Sequence, residues 1–172
     1  LHLSIRRQRQ MCIRDSTGLV DYRVETVGGA HVRVSLADAA GSVVATSSGP
    51  EGRLEIADVV LWKPGAAYLY ELTVEAVDGE DVLDTYSLAV GVRTVAVRGE
   101  EFLVNGEPFY FTGFGKHEDT FVRGKGHDDA YMVHDFQLME WTGANSFRTS
   151  HYPYAEDVLD FADRHGILVI DE

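Results

Sequence analysis

Residues 145–172 read NSFRTSHYPYAEDVLDFADRHGILVIDE. Asn145 to Ser150 is a short stretch able to extend as a strand, and Ile167 to Ile170 is a continuous apolar run. Between them Pro153 opens a predicted helix. Glu156 and Asp157 load its first turn, Val158, Leu159 and Ala162 line one face, and Arg164, His165 and Gly166 end it. Acids at the start and bases at the end oppose the helix dipole, and the glycine supplies a left-handed stop. Strand, helix and buried-type strand in succession predict a parallel crossover.

The same grammar extends upstream. Met132, Phe136 and Met139 recur at helical spacing, with Gly143 as a stop, so residues 129–142 are expected to form a helix. Before it lies the glycine-rich, charged stretch TGFGKHEDTFVRGKGHDD (112–129), and before that Phe109-Tyr110-Phe111, which reads as a compact apolar strand. Residues 109–172 therefore read strand–loop–helix–strand–helix–strand, the order of successive βαβ units. A complete (β/α)8 barrel takes about 250 residues. The expectation here is its beginning.

Residues 18–93 follow another period. Val20, Tyr22 and Val24, then Val32, Val34 and Leu36, then Tyr70, Leu72, Val74 and Ala76 alternate with polar residues. Leu54 and Ile56, and Tyr86, Leu88 and Val90, continue the theme, with Gly28-Gly29 and Asp78-Gly79 as turns. Alternation places one face on a core and the other in water, so these residues are expected to form an antiparallel β-sandwich. Trp62, in the LWKPG loop at 61–65, is read as a packing anchor, with a sugar-stacking platform as the alternative. Asn105-Gly106 signals a hairpin in the connection.

Residues 1–16 hold four of the fifteen basic residues and one acid, without the apolar core of a signal peptide. Residues 1–17 are accordingly expected to be a disordered or extraneous segment, 18–93 the sandwich and 94–172 the start of the barrel. The 172-residue chain carries a net charge of −13 and a single cysteine, Cys12. That balance argues against nucleic acid as a partner, and one cysteine excludes an internal disulfide. No apolar run is long enough to cross a membrane. The missing leader pattern gives a cytoplasmic expectation.

Ionisable side chains gather where the predicted barrel strands end. They are Lys116-His117-Glu118-Asp119, then Arg148-Thr149-Ser150-His151-Tyr152, then Asp171-Glu172. Strand ends are where such barrels place their chemistry. Arg148 alternates with Phe147 and Thr149, and a cation facing into a barrel needs a carboxylate partner. Plainer readings exist for each: a solvated cluster at 117–119, a helix cap at His151, a simple strand terminus at Asp171-Glu172. His117, His127, His134 and His151 lie among acids, but no HExxH pattern appears, and GKG at 124–126 lacks the phosphate-loop spacing. No metal or other cofactor is called for.

The run NSFRTSHYP (145–153), continuing through Asp163, Gly166 and ILVIDE, resembles the signature of glycoside hydrolase family 2. FYFTGFGKHEDTFVRGKG (109–126) is similar to the first barrel strand and loop of the family's β-glucuronidases; its galactosidases share the His-Glu but do not usually continue with RGKG. LWKPG and YLYEL (68–72) resemble the family's immunoglobulin-like middle domain.

The resemblance implies an immunoglobulin-like β-sandwich followed by the first three β/α units of an incomplete (β/α)8 TIM barrel, from a homo-oligomeric retaining glycosidase acting on terminal β-D-glucuronides. Retention uses two carboxyl groups about 5–5.5 Å apart. The family supplies them as glutamates on later barrel strands, so no catalytic residue is expected in this chain. His117 and His151 are implied to hydrogen-bond sugar hydroxyls, Asp119 to line or support the sugar pocket, and Arg148 to steady the nucleophilic glutamate. Lys116 counts with Arg148 as a local cation favouring an anionic substrate. A β-galactosidase or β-mannosidase relative, or a non-catalytic carbohydrate-binding sandwich, are the alternatives.

Overall fold

The computed structural model describes Leu3–Ile5, Met11–Arg14 and residues 16–26 and 28–172. In chain order the strands of the first half are β1 (Leu3–Ile5), β2 (Met11–Arg14), β3 (Thr17–Thr26), β4 (His31–Ala37), β5 (Val43–Ser48), β6 (Glu51–Ile56), β7 (Tyr70–Asp78) and β8 (Asp81–Val90). One sheet pairs β3 with β1, β2 and β6; the other runs β5-β4-β7-β8, antiparallel throughout.

The alternation predicted from the sequence sets which side chains meet between these sheets. Val20, Tyr22 and Val24 of β3 and Leu54 and Ile56 of β6 pack on Val32, Val34 and Leu36 of β4 and Tyr70, Leu72 and Val74 of β7. Burying an aliphatic side chain of this size stabilises by about 1.5–3 kcal/mol, so this one face is what fixes strand register. The expectation of a disordered or extraneous segment at 1–17 falls partly outside the described residues. Within that span the backbones of β1 and β2 pair antiparallel with β3.

A hairpin link follows, made of β9 (Val95–Arg98), β10 (Glu101–Val104) and β11 (Glu107–Pro108). Asn105 and Gly106, at φ 54° and 81°, form its two-residue turn, as the dipeptide predicts. Then come β12 (Gly113–Lys116), β13 (Asp119–Thr120), β14 (Gly124–Lys125), α1 (Asp129–Thr142), β15 (Ser146–Thr149), α2 (Glu156–His165) and β16 (Leu168–Ile170). The strands β12, β15 and β16 form a parallel sheet in that order. Phe147 of β15 packs with Met132, Phe136 and Met139 of α1 and Val158 and Ala162 of α2.

Two boundaries differ from the sequence reading. The first parallel strand is Gly113–Lys116, not Phe109-Tyr110-Phe111. Phe109 and Phe111 instead pack with Trp62, Val104 and Leu168, filling the space between the sandwich, the hairpin and the parallel sheet. A β-carbon at Gly113 would collide with the Ser146 backbone, so glycine is what allows β12 to sit there. The second difference is that α2 begins at Glu156 rather than Pro153. Residues before it form a turn that brings the Tyr154 hydroxyl to the carbonyl of Lys116.

Trp62 is fully buried and joins the two halves. Its indole donates to the Asp163 carbonyl at 2.7 Å, while Arg93 stacks over the ring at 4.2 Å and pairs with the Asp163 carboxylate at 2.8 Å. The packing-anchor reading of Trp62 holds. An indole with no exposed face offers no platform for a sugar.

Candidate active site

Parallel pairing places Gly115, Arg148 and Ile170 side by side in register. Side chains alternate across a sheet, so this row faces away from Phe147 and the two helices. Glu172 lies two residues beyond Ile170, and its side chain meets Arg148 on that open side. One carboxylate oxygen of Glu172 accepts from Arg148 Nε at 3.0 Å and lies 2.9 Å from Nη2. Arg148 Nη2 also lies 3.0 Å from His151 Nδ1, and the same Glu172 oxygen is 3.3 Å from that nitrogen. The demand of Arg148 for a carboxylate is met by a residue that the sequence left as a strand terminus.

The backbone explains why Glu172 stands there. Its N–H donates to Thr149 Oγ1 at 2.9 Å, and that fully buried hydroxyl donates to Asp171 Oδ1 at 3.0 Å. The end of β15 is thus tied to the residues after β16. The guanidinium hydrogen bond of Arg148 first, then the charge of Arg148 and the neighbouring His151, hold the Glu172 carboxyl below its ordinary value, with desolvation opposing them.

His117 follows β12 and comes to the same place. Its ring meets that of His151 edge to face, with centroids 5.3 Å apart. Asp119 Oδ2 is 3.8 Å from His117 Nδ1. His117, Arg148 and His151 therefore converge at the carboxyl ends of neighbouring strands, and Asp119 stands behind His117. Both histidines and Arg148 keep substantial exposure, so the group opens to solvent.

Other residues brace this group. Ser150 N–H donates to the carbonyl of Lys116 at 3.0 Å, joining the end of β15 to β12. The ammonium of Lys125, opposite Asp119 in the β13–β14 pair, sits 4.2 Å from the Tyr152 ring centroid. Partial burial, then the carboxylates of Glu118 and Asp119, raise the Tyr152 phenol above its ordinary value. Glu118 itself is buried, with Oε1 3.8 Å from His127 Nδ1.

Lys116 departs from its expected place. It lies opposite Thr149, on the other face from Arg148, and its buried ammonium pairs with Asp135 of α1 at 3.0 Å. Alternation along β12 puts it under the sheet. It is no local cation for a substrate above. Sequence reading placed Glu172 at a strand end but missed its pairing with Arg148, for which the available signal was the unmet charge of Arg148; it missed Tyr154, for which there was no signal. Among the described residues, no group of His, Cys, Asp and Glu is arranged to hold a metal ion, and no helix is long and apolar enough to cross a membrane.

Residues 13–93 match the model of Glycosyl hydrolases family 2, and residues 95–172 match that family's TIM barrel domain. A β-glucuronidase of Paenibacillus borealis is 53% identical over 162 residues, covering 93% of this chain and 27% of its own length. The β-glucuronidase of Mus musculus is 48% identical over 167 residues, covering 93% of this chain and 26% of its own. The crystal structure of Ruminococcus gnavus β-glucuronidase superposes with a TM-score of 0.91 at 44% identity, covering 99% of this chain and 28% of that one. The chain spans about a quarter of the length of the relatives it matches. It carries the family's sandwich joined to the start of its barrel domain, and it belongs to glycosyl hydrolase family 2.

Proposed function

We propose that this chain is the sandwich and the first three β/α units of a retaining β-glucuronidase that hydrolyses terminal β-D-glucuronides. The convergence of His117, Arg148 and His151 at the strand ends is the observation that carries the reading. Identity of about 50% to proteins named β-glucuronidase supports the substrate class.

In this reading His117 and His151 hydrogen-bond sugar hydroxyls, with Asp119 setting the orientation of the His117 ring. Arg148 offers its cation to the nucleophilic glutamate, keeping that carboxylate ionised for attack. The acid/base and nucleophilic glutamates belong to later barrel strands. Neither Glu118 nor Glu172 stands in for them. Glu118 is buried beside His127, and Glu172 is engaged by Arg148. The 172-residue chain alone accordingly has no turnover.

The test is an assay of the full reading frame that contains residues 1–172 on aryl β-D-glucuronide, β-D-galactoside and β-D-mannoside. A glucuronide preference in kcat/KM of at least about 100-fold, with the β-anomer released first, is expected. Preference for the galactoside or mannoside overturns the substrate class, and glucuronide turnover by residues 1–172 alone overturns the division of labour.

A further inference from the structure

We propose that Glu172 is a positioning residue: by gripping one edge of Arg148 it fixes the tautomer of His151 and makes that imidazole a hydrogen-bond donor toward the open site. The inference deepens the glycosidase reading, on which it rests only for what the imidazole meets.

A guanidinium has donors and no acceptor. The 3.0 Å approach of Arg148 Nη2 to His151 Nδ1 therefore makes Nδ1 the acceptor. A neutral His151 then carries its proton on Nε2, at the far side of the ring from Arg148. The other tautomer would set its N–H against the Nη2–H and leave it only the longer 3.3 Å approach to the Glu172 oxygen.

This arrangement depends on where Nη2 points, and Glu172 determines that. Its oxygen takes the Nε–H at 3.0 Å and lies 2.9 Å from Nη2, leaving a second Nη2 hydrogen for the imidazole. Arg148 alone, on a long and half-exposed side chain, would have several rotamers with comparable solvation. Glu172 is itself held by its N–H on the buried Thr149 hydroxyl, so the chain of restraint runs from the core to the imidazole. The groups facing His151 are Arg148, Glu172 and His117, and Asp119 reaches it only through His117. Glu172 takes the Nε and Nη2 edge of Arg148 and His151 the second Nη2 hydrogen, which leaves the Nη1 hydrogens for a second carboxylate. Glu172 and a nucleophile can thus share one guanidinium without competing for the same hydrogens.

The experiment is long-range ¹H–¹⁵N spectroscopy of the histidine rings in the 172-residue chain, at a pH about 1.5 units above the ordinary imidazole value. The His151 signals are assigned by their loss in His151→Gln. In the unsubstituted chain the expected pattern is a protonated Nε2 and an acceptor Nδ1, together with a slowly exchanging Arg148 Nε–H. Glu172→Ala should raise the Nδ1–H population at least about twofold and make the Arg148 Nε–H exchange several-fold faster. Arg148→Lys, which keeps the charge but loses the fork, should shift the tautomer in the same direction.

Backbone amide signals of β15 and β16 report whether the sheet persists. If Glu172→Ala disrupts it, Glu172→Gln keeps the shape and removes the charge, and faster Arg148 Nε–H exchange is still expected. A majority of Nδ1–H in the unsubstituted chain overturns the inference. So does an unchanged His151 and Arg148 spectrum in a folded Glu172→Ala or, where that variant does not fold, in Glu172→Gln. These readouts involve no glycoside, so their failure leaves the glucuronidase reading standing, and a failure of glucuronide turnover leaves the tautomer result standing.

Discussion

The indole Nε1 of Trp62 donates to the carbonyl oxygen of Asp163, 2.7 Å away and 101 residues further along the chain. The bond crosses from the sandwich loop to the last helix of the barrel portion, beside the backbone bond from Gly65 N–H to the Gly166 carbonyl at 3.0 Å. Arg93 completes the joint by covering the indole and pairing with Asp163. The residues that carry the candidate site are thereby seated on a rigid neighbour.

Trp62→Ala should cost about 3–5 kcal/mol, because it opens a cavity in a fully buried place and removes the indole donor from the Asp163 carbonyl. Trp62→Phe keeps most of the volume and should cost less, about 1–3 kcal/mol. Chemical unfolding followed by separate probes in each half checks this. In the unsubstituted chain the two halves should report one shared transition, and in Trp62→Ala the barrel portion should unfold first. An unchanged midpoint in Trp62→Ala would show that the joint contributes nothing to stability.

Gly113 and Gly115 should differ sharply in their tolerance of alanine. A β-carbon at Gly113 strikes the Ser146 backbone of the neighbouring strand, which moves only if the β12–β15 pairing gives way. At Gly115 it meets only the Ser150 hydroxyl oxygen, at 2.9 Å. Gly113→Ala is expected to cost about 3 kcal/mol or more, with loss of amide protection in β12, and Gly115→Ala about 1 kcal/mol. Hydrogen exchange and thermal unfolding of the two variants decide it; equal costs would mean that β12 does not approach β15 this closely.

The sandwich was legible because its chemistry is one-dimensional: each of Val20, Tyr22 and Val24 is buried, as the alternation requires. The helix stops at Gly143 and Gly166 were legible for the same reason, and both adopt positive φ. The position of the first barrel strand was not. Phe109 and Phe111 look like a strand, yet their apolar surface goes to the joint with Trp62, while β12 is built of glycines whose merit is steric. Of the candidate site, strand-end position pointed to the clusters that hold His117, Arg148 and His151, and the family resemblance singled these three out. The pairing of Glu172 with Arg148 was missed because the register across β15 and β16 cannot be read from spacing. Lys116 was misplaced because its face depends on a strand start that the apolar run had put too early.

At the N-terminus of α1, Asp128 accepts from the backbone N–H groups of Ala130 and Tyr131 at 3.1 and 3.2 Å, and its carboxylate also pairs with Arg123 at 2.7 Å. Asp128→Ala should destabilise by about 0.5–2 kcal/mol through loss of the cap. It should also loosen the segment between β13 and β14, since Arg123 loses this anchor. Asp128→Ser restores a cap without the charge, so it should recover helix stability and leave Arg123 free. Thermal unfolding with amide exchange at residues 121–126 separates the two effects, and equal exchange in all three proteins would show that Arg123 is not held through Asp128.

Acid should reveal two arginine–carboxylate pairs. The hydrogen bond from Arg53 to Asp21, and that from Arg148 to Glu172, hold both carboxyls below their ordinary values, with the arginine charge adding to the effect and partial desolvation opposing it. Each group is more acidic folded than unfolded, so as pH falls the unfolded chain takes up its proton first. The stability from these pairs is complete above the ordinary carboxylate range and is lost as pH drops through the folded values. Both pairs are partly exposed, so the effect should shrink as salt rises. Carbon-detected titration of the two carboxyls should place both midpoints below those of solvated Asp and Glu. Arg53→Ala should raise only the Asp21 midpoint, and Arg148→Ala only that of Glu172. A Glu172 midpoint that ignores Arg148→Ala would dissolve the pair on which the geometry of His151 depends.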